Sequence, residues 1–148
     1  MATKARQGMP RELSLQNLLC DASRRATADL QRVLSPKGMP VETWRVLEVL
    51  ADKKGRSMSA LAQEVLMKLP SLSKLIDRMV ASALVQRAPD QLDQRRVLVY
   101  ISDLGLAKVR DLRRPVRRHL EAEGAWLDEG ERRELRRLLQ AFMRDRDS

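Results

Sequence analysis

One cysteine, one histidine, one tyrosine, one phenylalanine and two tryptophans are all that the 148-residue chain holds of those kinds, and each scarcity excludes something. Cys20 alone forms no intramolecular disulfide, and with His119 as its only histidine the chain has too few ligands for a Cys/His zinc site. No metal and no cofactor is expected. With aromatic residues at 3%, the core must rest on Leu, Val, Ala and Met. The abundance of Leu, Ala, Met, Arg, Glu and Gln over Val, Ile, Thr and Tyr then favours helix. No run approaches the roughly 18 apolar residues of a spanning helix, and the N-terminus lacks the apolar segment of a secretory signal. The expectation is a cytoplasmic protein with no membrane partner. There is no glycine-rich phosphate loop, no acid–base pair with an evident site, and no nucleophile spaced to the lone histidine. The chain is therefore expected to be no enzyme and to have no catalytic residues.

What the sequence has in excess is positive charge. A formal net charge of +9 makes a polyanion the first partner to consider, because lysines and arginines that neutralise phosphates release condensed counterions. The excess is spread thinly along the chain, so charge alone is equally consistent with a solvated helical surface.

The apolar positions Leu15, Leu18, Leu19, Ala22, Ala26, Leu30, Val33 and Leu34 recur at three- and four-residue steps, which predicts one long helix from Leu13 to Leu34, closed by Pro36 and Gly38. A second helix is expected from Pro40, turning Trp44, Leu47, Leu50 and Ala51 inward. A short third helix follows over 57–65, capped by Ser57 or Ser59. A fourth starts at Pro70 with Leu72, Leu75, Ile76 and Met79 on its core face and Ser71, Lys74 and Arg78 on a polar one. After Ala83 the period changes. Leu84-Val85 and the run Val97 to Ile101 read as two strands joined by the polar segment Pro89 to Arg95, a projecting hairpin. Helix then returns through Leu104, Val109, Leu112, Val116 and Leu120, with a kink expected at Pro115, and through Leu135, Leu138, Leu139, Phe142 and Met143. Asp128 and Glu131 have the spacing of a capping box for the last helix. Disorder is expected only for the first ten and last few residues. The fold class is mainly α with a small β-hairpin: a winged helix-turn-helix over 39–101, flanked by an N-terminal helix within 1–38 and C-terminal helices within 102–148.

The hairpin region, with Arg87, Asp90, Asp93 and Arg95 at fixed spacing and then an apolar strand ending in Ile101-Ser102-Asp103-Leu104-Gly105, resembles the wing of the MarR family of bacterial regulators. The likeness extends upstream through Trp44, Leu61-Ala62 and the stretch Ser71 to Met79, and covers roughly residues 13–140. Ala83 departs from it, since the family commonly has glycine after this helix.

The resemblance implies a homodimeric, sequence-specific DNA-binding transcriptional regulator, a ligand-responsive repressor that binds a pseudo-palindromic operator in double-stranded DNA. Residues 71–79 correspond to the recognition helix, which lies in the major groove. The implied DNA contacts are Ser71, Ser73, Lys74 and Arg78 there, and Arg87, Asp93, Arg95 and Arg96 in the wing, with Arg95 in the minor groove. For Arg95 an internal ion pair with Asp93 is the competing reading, and the two can coexist. Dimerisation is implied for the N- and C-terminal helices; the alternative is that they cover the domain intramolecularly. Many relatives respond to small phenolic or aromatic carboxylates, for which Arg24, Arg25, Trp44, Arg45 and His119 are candidate residues. Two alternatives remain: a redox-responsive regulator working through Cys20, which may equally be a small buried hydrophobe, and a winged-helix module that binds a protein or an anionic membrane.

Overall fold

The computed structural model describes residues 14–144. Leu13, the first ten residues and the last four, with the helix start and the disorder expected of them, lie outside the described residues. The chain divides into two compact units, with the boundary between Val116 and Arg117.

In the first unit, helix α1 (Leu15–Leu34) is capped by Ser14, whose hydroxyl accepts the Asn17 N–H at 3.2 Å. A 3-10 turn over Ser35–Lys37 closes on Gly38, whose φ of +64° is the left-handed conformation that glycine adopts most easily. Gln31 fastens the two sides of this turn. Its amide donates to the Met39 carbonyl and accepts from the Val41 N–H, both at 3.1 Å. Helix α2 (Val41–Leu50) begins directly after Pro40, and α3 (Met58–Glu64) is capped by Ser57. Helix α4 (Leu69–Ala81) holds Pro70 in its first turn, where no intrahelical N–H is needed.

The apolar faces expected of these helices meet in one core. Leu34, Trp44, Leu47, Leu50, Leu61, Leu72, Leu75, Ile76 and Met79 are buried together, with Val109, Leu112 and Val116 of helix α5 (Asp103–Ala122) closing the cluster.

Strands β1 (Val85–Pro89) and β2 (Val97–Ile101) pair antiparallel, Val85 opposite Ile101 and Pro89 opposite Val97. The junction between α4 and this hairpin is tight. Leu84 N–H returns to the Met79 carbonyl at 2.9 Å and Ala83 N–H to Val80 at 3.0 Å, which leaves Ala83 at φ +60°. Here an alanine takes the left-handed place that a glycine would fill without strain. Ser102 ties the same corner from the other side. Its hydroxyl reaches the carbonyls of Ala83 at 2.6 Å and Leu84 at 2.9 Å, and also accepts the Gly105 N–H at 3.0 Å to cap α5.

In the second unit, helix α6 (Glu129–Arg144) starts with the reciprocal bonds of a capping box. Glu131 N–H donates to the Asp128 carboxylate at 2.9 Å, and Asp128 N–H to that of Glu131 at 2.8 Å. No residue of α6 is buried. Among the described residues, no helix is long and apolar enough to cross a membrane.

The left-handed Ala83 gives a stability test. Ala83→Gly is expected to raise the unfolding free energy by about 0.5–1 kcal/mol, the relief of left-handed strain less the added chain entropy of glycine. Urea unfolding of both proteins measures it, and an unchanged midpoint would count against the strained corner.

Candidate nucleic-acid interface

Helix α4 presents its polar face to solvent because Leu72, Leu75, Ile76 and Met79 fix the opposite side in the core. Ser71, Lys74 and Arg78, at i, i+3 and i+7, share one edge of that face. They line a groove of ≈ 660 Å³ together with Lys37, Glu42 and Lys108. Four cations and one carboxylate therefore surround this groove, and none of the four has an ion pair among the described residues. Ser73 is half-buried and lies on another side of the helix.

The hairpin carries the remaining predicted contacts in different states. Arg87, on β1, is bonded at 2.6 Å to Asp77 of α4, so this arginine fastens the hairpin's base to the helix. At the tip, the Asp90 carboxylate accepts the Leu92 N–H at 3.0 Å and the Asp93 carboxylate accepts the Arg95 N–H at 3.1 Å. Asp93 thus binds the backbone of Arg95, and the Arg95 guanidinium has no ion pair among the described residues. Arg96 is the arginine paired at the tip, 4.0 Å from Asp90. Leu92, between them, is 96% exposed.

The five candidate effector residues have separate surroundings. Trp44 is 2% exposed and belongs to the core. Arg24 is bonded to Asp21 at 2.6 Å and lines a second groove with Leu19, Cys20 and Thr27. Arg45 donates to the Thr27 hydroxyl at 3.3 Å, and Arg25 is exposed. His119, half-buried, is in the second unit. Cys20 is exposed, not a buried hydrophobe.

A sequence profile of the MarR family matches residues 37–96, the span from the turn before α2 to the wing tip. The chain carries a MarR-family domain. The HTH-type transcriptional repressor IacR of Pseudomonas putida is 28% identical over 116 residues, which make up 78% of this chain and 70% of that protein. Two solved structures share the fold. Bordetella bronchiseptica BpsR, studied for the regulation of its DNA binding by 6-hydroxynicotinic acid, superposes with a TM-score of 0.81 at 21% identity, covering 92% of this chain and 97% of its own. A mutant MarR from E. coli complexed with operator DNA gives 0.80 at 24% identity, covering 88% and 94%.

Three features of the MarR-family domain escaped the sequence reading. Lys37 and Lys108 reach the α4 groove from distant parts of the chain, and no local pattern marks them. The third is Arg56, in the connection between α2 and α3. Its backbone exchanges two hydrogen bonds with Val99 at 2.8 and 3.0 Å, adding a single-residue third edge to the wing's sheet. Its guanidinium donates to Asp52, Glu64 and the Lys54 carbonyl, each at 2.8 Å. Beside it Gly55 is obligatory, because a β-carbon there would stand 2.6 Å from the Tyr100 ring.

The hydrogen bond from Arg56 holds the Asp52 carboxyl below its ordinary value. Because the folded-state value is the lower one, this stabilisation is complete above the usual aspartate pKa and is lost as pH falls through the folded one. Arg56→Met is expected to lower the unfolding free energy by about 1–3 kcal/mol at pH 7. The difference from wild type should narrow in unfolding curves taken below about pH 4. A gap that stays constant down to acid pH would show that the Asp52 bond contributes nothing.

Proposed function

We propose that the chain is a cytoplasmic, ligand-responsive transcriptional repressor that binds a pseudo-palindromic operator as a homodimer and catalyses no reaction. Residues 39–101 are its DNA-binding part, with the flanking 1–38 and 102–148 serving dimerisation. The observation that carries this reading is the distribution of unpaired cations. Arg24, Arg32, Arg56, Arg87 and Arg96 are all engaged by carboxylates, whereas Lys74 and Arg78 on α4 and Arg95 at the wing tip are left for an external anion. In a winged helix these two places meet the major and minor grooves. The relative named a transcriptional repressor and the MarR complex with operator DNA support it.

The groove beside α4 suits an anionic effector, since Lys37, Lys74, Arg78 and Lys108 outnumber Glu42. A small aromatic carboxylate is the class favoured, in keeping with the control of BpsR by 6-hydroxynicotinic acid.

Lys74 and Arg95 separate the two modes of contact. Lys74→Ala removes a major-groove contact and is expected to weaken operator binding by about 1–3 kcal/mol more than binding to random DNA. Arg95→Ala, in the degenerate minor groove, should weaken both duplexes together and reduce the salt slope by about one unit. Titrations of both variants against operator and scrambled duplex at several salt concentrations check this. Wild-type binding by folded Arg95→Ala at every salt concentration would remove the wing from the interface.

Dimerisation rests on apolar side chains that each unit leaves uncovered. Leu15 and Leu18 on α1 are exposed, as are Leu135, Leu138, Leu139 and Met143 along α6. Light scattering at micromolar concentration is expected to give twice the chain mass, and Leu135→Glu with Leu139→Glu should halve it. A monomeric mass for the unmodified protein would refute the dimer.

A further inference from the structure

Two leucines at the start of the recognition helix break local rules with no compensation inside the protein. Leu66 closes α3 at φ +56°, held there by the bond from Met67 N–H to the Ala62 carbonyl at 3.0 Å. A bulky side chain in this conformation sets its β-carbon against the next carbonyl, which is why glycine usually takes the place. Burial often offsets such strain, yet Leu66 is 91% exposed. Leu69, the first residue of α4, is 47% exposed. Between and after them stand Lys68, Lys74 and Arg78, and Glu64, the one carboxylate from residue 63 to residue 76, is already bonded to Arg56. The result is an apolar spot inside a cationic rim.

We infer that Leu69, with Leu66 beside it in the chain, contacts the methyl group of a thymine in the major groove and so sets part of the operator's sequence. This rests on the DNA-binding reading. The major-groove edges of the bases carry hydrogen-bond donors and acceptors, and the thymine C5-methyl is the one apolar group among them. The cationic rim draws phosphates to both sides of the spot, and the first turn of a recognition helix is the part that approaches base edges. Local strain left without internal compensation is a mark of sites whose partner is external.

The experiment uses the full chain. A preferred duplex is selected from a random pool by repeated rounds of binding, and its thymines are then replaced one at a time by deoxyuridine, which removes only the methyl. At one position in each half-site the wild type should lose about fourfold in affinity, the worth of one buried methyl group. Leu69→Ala, folded by circular dichroism, should bind the thymine duplex about fourfold more weakly and be indifferent to the replacement at that position. Leu66→Gly should gain stability by losing its strain and still bind more weakly than wild type. Deoxyuridine without effect at every position overturns the inference, as does equal sensitivity in wild type and Leu69→Ala. Full affinity in Leu66→Gly removes Leu66 from the contact. Failure of the wild type to select any duplex defeats the DNA-binding reading itself.

Discussion

The carbonyl oxygen of Leu84 is the point on which the rest of the first unit depends. It accepts the backbone N–H of Ser102 at 3.0 Å and the hydroxyl of the same residue at 2.9 Å. A β-carbon on Gly105 would lie 2.4 Å from it and 2.8 Å from the Ile101 side chain, so only glycine lets α5 approach this closely. Three elements are set at one oxygen: the end of α4, the root of the hairpin and the first turn of α5. Were this corner looser, the wing would keep its own ladder of hydrogen bonds and lose its direction relative to α4.

How a cation is used depends on what stands beside it. Arg87 and Arg96 carry the same charge as Arg95, yet both have a carboxylate in reach and help to hold the wing's shape. Exposed pairs of this kind add little to stability, typically well under 1 kcal/mol. Their geometric effect is larger, because Asp77 and Asp90 fix the two arginines and leave Arg95, whose backbone alone is held by Asp93, to extend outward. The thin spread of charge along the sequence therefore hides a sharp division in space.

Much of this was legible in the sequence where the signal is local. The helical spacing of Leu72, Leu75, Ile76 and Met79, the Asp128–Glu131 box and the β-branched run at 97–101 each belong to a single element, and the structure forms all three. Boundaries moved by a residue at most at Pro40 and Pro70, where proline stands before or just inside the first helical position. The likeness of the hairpin to the MarR wing carried the fold. What stayed illegible depends on residues distant in the chain. The α4 groove needs Lys37 and Lys108, the third edge of the sheet needs Arg56 to meet Val99, and Trp44 is claimed by a core to which five helices contribute. The left-handed Leu66 and Ala83 were hidden for another reason: neither residue type announces a conformation that it adopts only under the demands of its neighbours.

The single bridge from Arg56 makes the hairpin mechanically uneven. At Val99 the second strand is hydrogen-bonded on both sides, whereas the first strand has a neighbour on one side only. Beyond Pro89 and Val97 the tip is held by its own turn and one arginine–carboxylate pair. Backbone bonds with a solvent-exposed edge open more readily than those enclosed by neighbours. The wing is thus a lever clamped at its root, stiff where it joins the core and compliant over its outer half, able to follow variations in the width of a groove while the helices behind it stay still.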